Sequence, residues 1–334
     1  MKAPVLLVAW RRPHTTLHVV NALRAYAPTR LYVACDGPSP ERPEEIAKVG
    51  ATRKLIEDSI DWQCEVYRLY SDRNQGCRAA VSKAITWFFE NEEEGIILED
   101  DCVPHEDFFQ YCNTLLEYYR EDSRIWCISG NNFQDGHLRG DGSYYFSFYP
   151  HCWGWASWRR CWKHYDGEMT HWPRLRDSGL LETVFRNPQE RSYWIGIWDR
   201  LHKDNFPDSW AYRWTLSCIA MGGLTALPNR NLVSNIGFGP DATHTTDDRK
   251  THLMQEGSSN WYHPTFVIVD READSYTFYH YIAGKLLRYK SSLRGLLLDP
   301  VLAKIKTALF NPSHYPRKLF KKLFNLLGVD RRSL

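Results

Sequence analysis

Residues 95–101 read Gly-Ile-Ile-Leu-Glu-Asp-Asp, a short apolar run that stops in three consecutive acids. Gly95 to Leu98 has the composition of a strand buried on both faces, which is the mark of a parallel sheet. Glu99, Asp100 and Asp101 then fall at its carboxyl end. Towards the N-terminus, Pro4 to Trp10 (PVLLVAW) and Leu31 to Cys35 (LYVAC) have the same buried character, and Glu65 to Tyr70 (EVYRLY) alternates. Helical patterns separate these strands at about Thr15 to Tyr26, Glu41 to Asp58 and Gly76 to Glu90. Strand–helix alternation of this kind predicts an α/β fold, a sheet with helices on both faces. Ligands of such sheets bind beyond the carboxyl ends of the strands. Asp36, the run Asp72-Arg73-Asn74 and the acidic triplet all follow directly on a strand, so one sheet edge collects the polar groups.

Towards the C-terminus the spacing predicts a helix over Asp107 to Tyr119 and a fifth strand over Ile125 to Ser129 (IWCIS). Residues 131–175 are rich in Gly, Trp and Tyr with little period, Arg186 to Lys203 reads as helix, and Trp210 to Met221 fits either type. The chain has 334 residues, 43% of them hydrophobic and 25% charged, as in an ordinary globular protein. Its 14 Trp, 19 Tyr and 15 Phe are less ordinary: they suit either a sugar or base site or a core of large side chains. The nine cysteines include no Cys-x-x-Cys pair, which argues against a zinc site and a disulfide framework and for a reducing compartment. The apolar run at Val5 to Trp10 is too short for an export signal, and no stretch reaches the ~20 apolar residues of a membrane span. The expected location is cytoplasmic.

The formal charge of +2 hides an asymmetry, since Tyr281 to Leu334 holds 12 Lys and Arg against 2 acids. Within it, Pro316 to Gly328 (PRKLFKKLFNLLG) sets Leu319, Phe320, Leu323, Phe324 and Leu327 at helical spacing between basic residues. Such a helix lies on an anionic membrane surface, here an inner leaflet, or docks on its own domain. A nucleic-acid partner is excluded by an acidic body whose basic residues concentrate in the tail.

Three adjacent carboxylates are costly unless a positive charge compensates, and a hard divalent cation, Mg²⁺ or Mn²⁺, does so while also taking phosphate oxygens from a substrate. The alternative is an acidic loop capping the next helix. The segment Gly95-IILEDD-Cys102-VPHEDFFQYC, followed by Arg124-IWCISG-Asn131-Asn132, resembles the core of the GT-A glycosyltransferases, a Rossmann-like, nucleotide-diphospho-sugar transferase fold with a mixed sheet flanked by helices. Within them it is most similar to the branch of the mannosyl-glycoprotein N-acetylglucosaminyltransferase and its bacterial relatives. Asn74-Gln-Gly76, Trp153 to Trp158 and Pro228 to Gly239 are similar to bacterial members of the wider group. The resemblance covers residues 1–250 in outline.

It implies a GT-A domain over residues 1–265, with a nucleotide-sugar half to residue 130 and an acceptor half from 131; the basic helical tail over 266–334 lies outside it. It implies a metal-dependent, inverting glycosyltransferase. The donor would be a nucleotide sugar, UDP-sugar favoured, and the acceptor a glycan or lipid-linked glycan. Asp101 would ligate the metal, with Glu99 and Asp100 on the ribose or steadying Asp101. Asp36 would contact the base, and Arg73 and Asn74 would approach the donor. His244 is a candidate further metal ligand, in a segment that suggests a loop closing over the donor. The base is expected at Asp208, with Asp199 in reserve. The related bacterial pattern is Asp-x-Trp-Asp, whereas Ala211 stands here at the second Asp position, and a turn or helix cap is the other reading of Asp208. Trp155, Trp210, Tyr212 and Trp214 are the expected acceptor platform. Two other classes remain: a sugar nucleotidyltransferase, against which the glycine-free Ala9-Trp10-Arg11-Arg12-Pro13 turn argues, and a non-catalytic carbohydrate-binding or membrane-active, hemolysin-like protein.

Overall fold

The computed structural model describes residues 2–238 and 260–283, in two compact units, Met1–Thr277 and Phe278–Leu334. The second unit's described residues form a π-helical turn, Phe278–Ile282. His244 and the basic segment 316–328 lie outside the described residues. The first unit extends to Thr277, past the boundary expected at residue 265.

Its elements run β1 (Val5–Ala9), α1 (Pro13–Tyr26), β2 (Arg30–Cys35), α2 (Pro43–Ser59), β3 (Glu65–Tyr70), α3 (Cys77–Asn91), β4 (Glu94–Glu99), β5 (Cys102–Pro104), α4 (Glu106–Tyr118) and β6 (Ile125–Ser129). There follow β7 (Tyr144–Ser147), β8 (Trp155–Trp158), α5 (Arg159–Trp162), α6 (Trp172–Asp177), α7 (Leu181–Val184), α8 (Pro188–Asp204), α9 (Ala211–Ala220), β9 (Leu224–Pro228), β10 (Val233–Asn235) and α10 (Arg271–Thr277). The mixed α/β class expected from the sequence is what the chain adopts. Eight strands form one sheet in the order β3-β2-β1-β4-β8-β6-β9-β7, and β10 pairs with β5 beside it.

The topology follows from the strands' composition and the handedness of crossovers. β1 and β2 are buried almost throughout and pair in parallel, as do β2 with β3 and β1 with β4. From β1 to β3 the chain steps one way along the sheet, and from β3 it returns across to β4. Right-handed crossovers therefore put α1 and α2 on one face and α3 on the other. In agreement, α1 packs on α2 and α4, and α3 packs on α5. Beyond β4 the sheet turns mixed, since β8 runs antiparallel to both β4 and β6.

The loosely patterned middle of the sequence supplies β7, β8 and α5. Trp155 on β8 sits under α9 and stacks with Trp210 at 5.6 Å between ring centroids, while Trp214 lies 5.1 Å from Trp162. Trp155 and Trp214 have no exposed surface and Trp210 has 2%. The aromatic surplus is thus largely core.

At the β7 edge, Asp274 of α10 is buried and accepts hydrogen bonds from the Ser147 hydroxyl and, at 3.2 Å, the Phe148 amide. Burial pushes its carboxyl up to about 7 against these hydrogen bonds. From about pH 4 upward the unfolded chain has lost a proton that the folded chain keeps there, so this group's contribution to stability falls as pH rises to about 7 and is flat beyond. In urea unfolding between those limits, Asp274→Asn is expected to remove part of the decline, the difference from wild type shifting by roughly 2–4 kcal/mol.

Candidate functional site

Strand order reverses at β1, which has β2 on one side and β4 on the other, and a crevice opens at such a switch point. The register sets what meets there. Ala9 lies opposite Cys35, and Val8 opposite Glu99, so Trp10 to Arg12 emerge beside Asp36 and the acidic triplet. The cavity at this point holds about 260 Å³. Val8, Ala34, Leu69, Ala80 and Val81 give it an apolar floor. Arg12, Asp36, Asn74, Gln75, Glu99, Asp100 and Asp208 supply the polar wall.

Asp36 closes the end of β2. Its carboxylate accepts from the amides of Gly37 at 2.8 Å and Gln75 at 3.0 Å, and from the Asn74 side chain at 3.0 Å. It thereby pins the loop between β3 and α3 to the sheet edge. Burial nonetheless pushes its pKa up against those hydrogen bonds. Asn74 is therefore beside the cavity as expected. Arg73 is not: its side chain is exposed and takes no part in the wall, and it is the Arg73 backbone that crowds against Gly37.

The acidic triplet turns out of β4 into β5. Burial pushes Glu99 up to about 8, and the neighbouring charges of Asp101 and Asp100 act the same way. Trp210 lies near enough to Glu99 to oppose that rise slightly. Asp100 is buried, which raises its pKa, while the guanidinium of Arg12 opposes the rise. Arg12 spans two acids at once, pairing with Asp100 through one nitrogen and with Asp101 through the other at 2.9 Å. Burial works against the charge on Arg12, but Asp100 and Asp101 more than offset it and hold its pKa above the ordinary value. Asp100 also accepts from the Trp10 amide at 3.1 Å. Against Asp101 lies Gly237, where a β-carbon would fall on the carboxylate, and the Ile236 amide donates to the Asp101 carbonyl at 2.8 Å.

Asp208 stands at the cavity rim, half exposed, and accepts from the Arg78 amide at 3.3 Å. It caps the amino end of α3, whose own cap residue is Gly76 at φ +83°. A β-carbon there would meet the Asp208 carboxylate at 2.8 Å. Both readings of Asp208, cap and functional acid, are compatible with this placement. Asp199 is elsewhere: it accepts from Trp172 and from Arg176, each at 3.1 Å, and takes no part in the cavity. The expected acceptor platform is corrected in the same way. Trp155, Trp210 and Trp214 are core residues with no ring face open to a sugar, and Tyr212 is only half-buried beside Trp194.

Sequence reasoning missed Arg12 as a site residue. Its signal was the adjacency of Arg11-Arg12-Pro13 to the end of β1. As for a metal, no group of three or more His, Cys, Asp and Glu is arranged to hold one among the described residues. Yet Asp100 and Asp101 share a single guanidinium, and Glu99 beside them is raised by burial first and by their charges second. That donor set fits a cation held by one or two carboxylates and completed by water and substrate phosphate, which is how Mg²⁺ is commonly bound.

No family model matches the chain, and no curated protein matches its sequence. Among solved structures, the chain is similar to HddC from Yersinia pseudotuberculosis at 11% identity and a TM-score of 0.29, over 51% of this chain and 83% of that one. A cytidylyltransferase from Leptospira borgpetersenii aligns at 12% and 0.30, over 61% and 72%. The glycosyltransferase GlyE of Streptococcus pneumoniae aligns at 10% and 0.32, over 68% and 45%. Likeness this slight names no family; the fold class stands on the sheet itself. No described helix is long and apolar enough to cross a membrane.

Gly237→Ala is expected to force Asp101 and the Asn235–Gly237 segment apart, at a cost of about 1–3 kcal/mol. A thermal melt unchanged from wild type would show that the two do not touch in solution.

Proposed function

We propose that the chain is a glycosyltransferase that moves a sugar from a nucleoside-diphosphate donor, a UDP-sugar in the favoured case, to a hydroxyl of a glycan or lipid-linked acceptor in surface polysaccharide synthesis. One observation carries the reading: an apolar slot at the switch point of the parallel half of the sheet, walled on one side by Asp36 and Asn74 and on the other by Glu99 and Asp100, with Asp101 next along the same turn. The slot suits a base and ribose, and the turn suits the charged end of the donor.

Asp101 would hold a Mn²⁺ or Mg²⁺ ion, with His244, outside the described residues, as a further candidate ligand. Bound there, the cation supplies charge neutralisation for the departing diphosphate. Transfer with inversion is a single displacement. The acceptor oxygen forms its bond to the sugar C1 as the C1–phosphate bond breaks, and a carboxylate takes the acceptor proton. Asp208 is the acid proposed for that step. It sits on the rim across from the triplet and is open to solvent, so an acceptor can reach it. The tail segment 316–328 is proposed to rest on an anionic inner-leaflet surface, the surface that carries lipid-linked acceptors.

Calorimetric titration of uridine diphosphate is expected to show binding that requires Mn²⁺ and is lost in Asp101→Asn. Asp208→Asn is expected to retain that binding while transfer falls by about 10²–10⁴-fold. If no nucleoside diphosphate binds under any metal condition, the proposal is wrong. If Asp208→Asn transfers normally, the residue is a cap and the base lies elsewhere.

A further inference from the structure

We infer that Arg12 is the resident counter-cation of the acidic turn and has to leave Asp101 before a divalent cation can bind there, so that cation and nucleotide bind together and the free cation scarcely at all. The inference rests on the reading of Asp101 as the cation's ligand.

The carboxylate oxygens of the turn are already engaged. The Arg12 fork takes one oxygen of Asp100 and one of Asp101, the latter at 2.9 Å. The other Asp100 oxygen receives the Trp10 amide at 3.1 Å. The other Asp101 oxygen lies 3.3 Å from the Cys102 thiol. Gly237 covers the Arg12-paired oxygen of Asp101 from the far side. The guanidinium is mostly enclosed, at 17% exposure, so this is no loose surface pair.

A hard divalent cation needs oxygens at about 2.0–2.2 Å and would sit within a few ångströms of that guanidinium. Two positive centres cannot share one carboxylate oxygen without strong mutual repulsion in a half-buried site. Free Mn²⁺ must therefore part Arg12 from Asp101, leaving the fork with Asp100 as its one direct partner. A diphosphate changes this. Arg12 lines the same cavity, and a planar fork of donors suits phosphate oxygens. The nucleotide gives the guanidinium a new anionic partner and frees Asp101 for the cation. Each ligand then raises the affinity of the other, as linkage requires.

The test measures Mn²⁺ binding by electron paramagnetic resonance on the full chain, with and without uridine diphosphate, in wild type, Arg12→Gln, Arg12→Lys and Asp101→Asn, each checked for folding by circular dichroism. Wild type is expected to bind Mn²⁺ weakly alone and tightly with nucleotide. Arg12→Gln should tighten nucleotide-free binding by about tenfold or more and shrink the gain that nucleotide brings. Arg12→Lys, which keeps the charge but loses the fork, should fall between them and serves if the glutamine variant does not fold. If both Arg12 variants bind free Mn²⁺ as wild type does while Asp101→Asn abolishes binding, the role of Arg12 is overturned and the cation site stands. If no form binds Mn²⁺ with or without nucleotide, the cation site itself is wrong and the inference falls with it.

Discussion

The pairing of β1 with both β2 and β4 is the constraint on which the site depends. Because β1 lies between them in parallel, its last residues emerge between the ends of two neighbours that carry Asp36 and Glu99-Asp100-Asp101. The register places Arg12 over Asp100, 88 positions away, and over Asp101 next to it. Breaking one partner of such a buried pair leaves an uncompensated charge and is strongly destabilising, whereas the intact pair contributes little net stability. The pair is therefore weak as glue and strong as a determinant of where charge sits.

Much of this was legible in the sequence where strands are buried on both faces. Val5–Ala9, Arg30–Cys35 and Ile125–Ser129 form within a residue or two of their expected limits, because apolar runs between helices leave few alternatives, and Glu65–Tyr70, an alternating strand with no buried residue, forms at its expected limits too. Asp36, Asn74, Glu99 and Asp100 line one cavity, since the ends of parallel strands must share an edge, and Asp208 joins them from the segment between α8 and α9. The aromatic readings failed for a reason of the same kind. Trp155 is held on both sides by antiparallel neighbours, β4 and β6, which no local period reveals. Trp214 faces inward from a helix whose sequence fitted strand or helix equally, so its face could not be assigned. Arg73 follows β3 as closely as Asn74 does, yet the loop turns one side chain out and the other in, where Asp36 accepts from the Asn74 side chain. Arg12 was hidden because pairing across the chain leaves no trace in spacing.

The two walls of the crevice have opposite electrostatic habits. On one, acids crowd until burial and mutual repulsion raise Glu99 towards neutrality. On the other, α3 begins with Gly76, which offers no side-chain cap, and the Arg78 amide meets the Asp208 carboxylate from a distant segment. The cap and the functional acid are therefore not rival readings on structural grounds. A base must be fixed and open to its substrate. The Arg78 amide fixes this carboxylate, and its exposure leaves room for an acceptor. Asp199, bound by Trp172 and Arg176 away from the cavity, meets the first condition and not the second. That difference in access, rather than any difference in chemistry between two aspartates, is what separates them.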